Sequence, residues 1–164
     1  MQKSVSRILG WVIIAYLSII LLFCIVWFFP KSDKGYYIDY KSYESKIETK
    51  FKAIVGETDK YKELYYKNKL SKRQMISHFE KSADKLEKLY DSFQWKKGDE
   101  VTKELYVLRK QIIINYVQVY RNKAVSLQKE TYFNENRELD YIGSIIDYYN
   151  TKDKLQKEKY NIDF

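Results

Sequence analysis

Few residues in this chain have the types and spacing that catalysis or metal binding requires. The single histidine, His78, stands between Ile76 and Phe79. On a helix it falls off the apolar seam those two define, so it is expected to point to solvent as an isolated imidazole with no acid or nucleophile beside it. The single cysteine, Cys24, lies inside an apolar run. No His-x-x-x-His, Glu-x-x-His or Asp-rich loop pattern occurs, so no metal site is expected. Glu135, Glu138 and Asp140 sit together, but they open a predicted helix, where acids complement the helix dipole. Five scattered glycines build no phosphate-binding loop or nucleophile elbow. Ser42 with Lys46, or Lys81 with Ser82, is what any lysine-rich chain contains. Glu44 and Glu48 read most simply as helical partners of Lys41 and Lys52 rather than as a carboxylate pair. The expectation is therefore a non-enzymatic protein with no cofactor, no metal and no catalytic residue.

Charge has more spatial content. The 30 basic and 22 acidic residues leave a net charge of +8. Most of the excess falls in residues 38–98, which hold 15 basic and 10 acidic side chains, whereas residues 99–164 hold 11 of each. Two clusters stand out at predicted turns: Lys67, Lys69, Lys72 and Arg73, then Lys96 and Lys97. Basic turns suit anionic surfaces such as lipid headgroups or an acidic partner. Acids interrupt these residues and no aromatic stripe accompanies them, so nucleic acid is not the expected partner.

The elements that position these residues begin with a membrane anchor. Ile8 to Phe29 is 22 residues without a charge, about 33 Å as a helix and long enough for a bilayer core. Trp11 and Trp27 mark its two ends as an aromatic belt would, and Pro30 stops it. The run is too long for a cleaved signal peptide. Cys24 is not a lipidation site on this reading: Phe23 replaces the small residue that such a site needs, and five apolar residues follow. The short basic tail, 1–7, points to an N-terminus inside and a domain outside. The lysines after the span argue the other way by simple count.

Residues 30–37 read as a polar hinge around Gly35, and residues 38–164 as an all-α domain. Over the whole chain Lys, Glu, Leu, Ile and 17 tyrosines dominate, with one proline and little turn chemistry for a sheet. Apolar spacing predicts a first helix over 39–69, bent or broken at Gly56. Ser71 with Gln74 forms a capping box opening a second helix to about Phe93, whose seam is Ile76, Phe79, Ala83, Leu86, Tyr90 and Phe93. Asp99 caps a third helix, apolar nearly halfway round and thus central. Asn134 to Asn136 open a fourth, with Leu139, Ile142, Ile145, Ile146, Tyr149 and Leu155 facing inward. Short loops imply an antiparallel bundle of three or four helices; the alternative is an extended coiled coil pairing chains through the second-helix seam.

The function these features suggest is a single-pass, membrane-anchored helical protein of the bacterial cell envelope that binds a protein or envelope partner, with homo-oligomerisation open. The alternatives are an immunity or regulatory protein sequestering a toxin or sensor, or a coiled-coil component of a lysis or secretion machine. No motif names a family.

Overall fold

A computed structural model describes residues 16–21 and 31–162. The chain divides into two units, Met1–Ser32 and Asp33–Phe164. In the first, residues 16–21 are helical, and Tyr16, Leu17, Ile19, Ile20 and Leu21 are exposed. Trp11, Cys24, Trp27 and Pro30 lie outside the described residues, as does most of the predicted span. No helix among the described residues is long and apolar enough to cross a membrane.

The second unit is four helices with no strand among the described residues: α1 (Asp33–Tyr66), α2 (Lys72–Ser92), α3 (Glu100–Lys129) and α4 (Glu135–Tyr160). Local signals set their starts. Ser71 Oγ accepts from Gln74 N while Gln74 Oε1 accepts from Ser71 N at 2.8 Å, the reciprocal capping box. Asp99 accepts from Thr102 N at 2.9 Å, and Asn134 accepts from Arg137 N. The ends rely on left-handed residues that are not glycine: Asn68 after α1, Glu130 after α3 and Asn161 after α4. At α3, Thr131 N bonds back to Ser126 O, satisfying a carbonyl that the helix leaves open.

Short turns between these helices make neighbours antiparallel, and α3 packs against the other three, as a helix apolar nearly halfway round must. The core gathers Phe79, Ala83, Leu86 and Phe93 from α2 and its end with Leu105, Ile112, Ile113, Val117 and Tyr120 from α3. The seam of α2 is thus spent within the chain, and the coiled coil that would pair chains through it is not what the chain builds.

Three expectations need correction. The hinge predicted over 30–37 is helical from Asp33 onward, because Tyr37 is fully buried and hydrogen-bonded to α4, which orders the turn around Gly35. Gly56 does not end α1, which runs through it for about 51 Å; a long helix held on both sides absorbs the roughly 1 kcal/mol that one interior glycine costs. Leu155 points outward, while its neighbours Asp153 and Gln156 are buried. The last turns of α4 face a polar interior, so the apolar period is no guide there.

Candidate functional site

The densest cluster of ionisable groups is buried between α1, α3 and α4. Glu44, in the second turn-pair of α1, is 1% exposed. Its Oε1 accepts from Arg109 Nε of α3 at 2.6 Å. Its Oε2 accepts from Lys41 Nζ at 2.6 Å and from the Tyr149 hydroxyl of α4 at 2.5 Å. The Arg109 guanidinium also lies 4.4 Å from the centre of the Tyr149 ring. One turn further along α4, Asp153 accepts from the Tyr37 hydroxyl at 2.9 Å and pairs with Lys41 at 3.0 Å. Burial alone would raise the Asp153 carboxyl, but the Lys41 charge and hydrogen bonds from Lys41, Tyr37 and Lys157 outweigh it and hold the acid low. Burial, the neighbouring Tyr40 and the Glu44 carboxylate push the Tyr149 hydroxyl far up, so it donates rather than ionises.

Such perturbed groups are where catalysis is usually sought. Here Glu44 is saturated by donors from three helices and Asp153 by donors from two, and no open face lets a substrate reach Glu44. The cluster's chemistry is ion pairing that joins α4 to α1. The same purpose is served at the other end of these helices, where Glu135 receives Lys62 of α1 at 2.9 Å and Lys123 of α3 at 2.8 Å. The acid group at the start of α4, read as dipole complement, therefore also bridges helices. Glu48 joins the cluster through Arg109 at 3.8 Å and pairs with Lys52 as its spacing predicts.

His78 requires the largest revision. It is 7% exposed rather than solvent-facing. Its ring stacks on Tyr61 of α1 with centroids 3.7 Å apart and planes 3° from parallel. Its Nε2 lies 3.3 Å from Ser82 Oγ, and that oxygen accepts from Thr58 Oγ1 at 2.8 Å. Burial lowers the imidazole pKa against the pull of Glu57. Histidine and serine within hydrogen-bond reach resemble a base and nucleophile. Ser82, however, is fully buried and closed off by Thr58, so the chain of hydroxyls serves α1–α2 packing. The buried face of α2 includes Met75, His78, Ser82 and Leu89, residues that the alternating apolar pattern misses because two of them are polar.

The basic turns stand at opposite ends of the bundle. Lys67, Lys69 and Arg73 are exposed at the α1–α2 turn, where Lys67 reaches Glu63 at 3.7 Å and Lys72 reaches Glu130 beyond α3 at 2.6 Å. Two of the four charges there are thus partly answered. Lys96 and Lys97 are exposed at the α2–α3 turn, at the end where α1 begins. This turn is firmly seated. The Trp95 ring lies 5.7 Å from Tyr40 and 6.0 Å from Tyr43, and its indole N–H donates to Lys97 O at 2.7 Å. Gly98 takes φ +95, where a Cβ would also meet Thr102 at 3.0 Å. Asp99 then ties the turn to α4, its Oδ2 accepting from Gln156 at 2.6 Å, Tyr160 at 2.8 Å and Lys159 at 3.2 Å. These donors and the Thr102 amide overcome burial and keep Asp99 strongly acidic.

The structure therefore separates what is closed, the ion cluster and the His78 chain, from what is open, the basic turns and the α1–α2 groove above His78. Compared with known proteins, the chain matches no family model, and no curated protein and no solved structure is significantly similar to it, so its own residues carry the functional reading.

Proposed function

We propose that this chain is a single-pass, membrane-anchored protein of the bacterial cell envelope whose helical domain binds a protein or envelope partner and performs no catalysis. The observation that carries the reading is the 22-residue charge-free segment directly ahead of a charged helical domain, a length suited to a bilayer and to little else. Two features support it. Five apolar side chains stand exposed over residues 16–21, as lipid-facing residues do. Lys96 and Lys97 sit at the end of the domain where α1 begins, within reach of anionic headgroups on this reading. The basic turn at the opposite end of the bundle, with Lys69 and Arg73 exposed, is a second surface suited to anionic contacts.

The test is cysteine accessibility in a Cys24→Ser background, with Lys97→Cys as the single thiol. Labelling of intact cells by an impermeant thiol reagent is the expected result. Labelling only after lysis overturns the external topology, and release of the chain from membranes by alkaline carbonate overturns the anchor itself. Burial of Phe79, Ala83, Leu86 and Phe93 within one chain weighs against a lysis- or secretion-machine coiled coil paired through the α2 seam, and a monomeric mass in solution is the result expected. Sequestration of a toxin or sensor remains a special case of partner binding, decided by which protein is bound.

A further inference from the structure

We infer that the groove between α1 and α2 is a docking site for an acidic amphipathic helix of a partner protein. The inference rests on the partner-binding reading above and names its surface. Two depressions meet at Lys85. One, of about 440 Å³, lies over Tyr61 and His78 and is edged by Gln74 and Lys81 on α2 and by Glu57 on α1. The other, of about 450 Å³, has a floor of Ala53, Ile54 and Leu89 and is edged by Lys50 and Lys88. Along α2 they extend from Gln74 to Ser92, about 27 Å of helix, which matches about 18 residues of a helical partner.

Charge selects the partner. On α2, Lys81, Lys85 and Lys88 recur at helical spacing along the groove edge, whereas Glu80, Asp84, Glu87 and Asp91 recur along the neighbouring stripe. Two members of the acidic stripe meet α3, Arg121 lying 2.5 Å from Glu87 and 4.0 Å from Asp84, while Glu80 and Asp91 form no ion pair among the described residues. The basic stripe is not engaged in this way. Lys85 pairs with Glu57 at 2.8 Å, and among the described residues Lys50, Lys81 and Lys88 form no ion pair. At the second depression an apolar floor lies between Lys50 on the α1 edge and Lys85 and Lys88 on the α2 edge, which suits a helix that carries an apolar ridge flanked by acids. At the first, Glu57 on the α1 edge is already paired with Lys85. The chain's own N-terminal residues 1–32 do not qualify, because they contain no acidic side chain.

The experiment uses the full chain in zwitterionic nanodiscs and a fluorescent 18-residue synthetic helix with leucines at heptad positions a and d and glutamates at e and g. The expected result is saturable binding with micromolar Kd, at least tenfold weaker for the same helix with lysines replacing the glutamates. Lys81→Glu/Lys85→Glu/Lys88→Glu should weaken binding tenfold or more, and so should Ala53→Arg, which fills the floor at an exposed position and leaves the core alone. Lys96→Glu/Lys97→Glu should leave it unchanged, with helix content by circular dichroism equal in all variants. Equal binding of both peptides, retention in the triple variant, or an equal loss in the Lys96/Lys97 variant overturns the inference. So does a groove that binds only vesicles of anionic lipid, or one whose triple variant abolishes a dimer seen by sedimentation. If the peptide result fails while the thiol and carbonate experiments hold, the groove alone is refuted; the opposite outcome refutes the envelope reading and leaves the groove.

Discussion

The two long contacts made by α1 are built on opposite chemistry. Toward α2 it presents Ile47, Thr58 and Tyr61 to an apolar wall of Phe79, Ala83 and Leu86, with His78 and two hydroxyls closed into a short chain. Toward α4 it presents Tyr37, Lys41, Glu44 and Lys62, and meets ions and phenols throughout. The helix axes come closer on the first side than on the second, where long polar side chains span the gap. An apolar contact stabilises in proportion to area and tolerates sliding. A buried ion contact contributes little net stability, because desolvation offsets attraction, but removing one partner leaves a charge stranded. The difference implies that α2 and α3 hold the bundle together and that the ion cluster sets the register of α4 on α1.

The largest expected effect breaks the polar contact from one side. Glu44→Ala or Arg109→Ala should each cost about 3–5 kcal/mol in urea unfolding, and Glu44→Leu with Arg109→Met should recover most of that loss. A double variant as damaged as the singles would mean that the ions are a net source of stability. On the apolar side, Leu86→Ala or Leu105→Ala, both fully buried, should cost about 2–5 kcal/mol with no partner substitution able to restore it. Asp99→Ala removes a helix cap and strands Gln156, which is 2% exposed; about 2–3 kcal/mol should be lost, with the α2–α3 turn opening first in hydrogen exchange.

Acid should probe the two contacts in separate windows. Burial holds the His78 pKa below its ordinary 6.5, so the unfolded chain binds the extra proton first and stability falls as pH drops below about 6.5. Asp153 is held below its ordinary 3.8, so its contribution persists until pH falls beneath that value and is then lost. His78→Gln should flatten the stability profile between pH 7 and 5, and Asp153→Asn should shrink only the slope below pH 4. A single slope common to both variants would show that the two contacts unfold as one titrating unit. The smallest effect lies away from both. Gly56→Ala and Gly143→Ala, where an added Cβ meets nothing within 4 Å, should each raise stability by about 0.5–1 kcal/mol through better helix propensity.

How much of this was legible in the residues depends on range. Ser71 with Gln74, Asp99 and Asn134 are visible as helix starts because a cap is closed within four residues. The pairing of Glu48 with Lys52 is visible for the same reason. His78 is misread as a surface residue because Met75, Ser82 and Leu89, not Ile76 and Tyr90, complete its buried face, and only the position of Tyr61 decides between those faces. Glu44 looks like a local partner of Lys41, and Glu135 like a dipole complement at a helix start. Their main contacts, Arg109 and Tyr149 for one and Lys62 and Lys123 for the other, lie 65 or more residues away or on another helix.

By itself the sequence determined the helical class, three of the four helix starts, the basic bias toward residues 38–98 and the apolar segment ahead of the domain. Each follows from composition or from spacing within two turns. Tertiary structure alone decided that α1 begins at Asp33, that the seam of α2 is used within the chain, that the last turns of α4 bury acids and amides instead of Leu155, and that the lysines of α2 line a groove while its acids meet Arg121. These depend on which helix lies opposite, and a side chain's partner across a bundle is set by three-dimensional apposition, which helical periodicity does not encode.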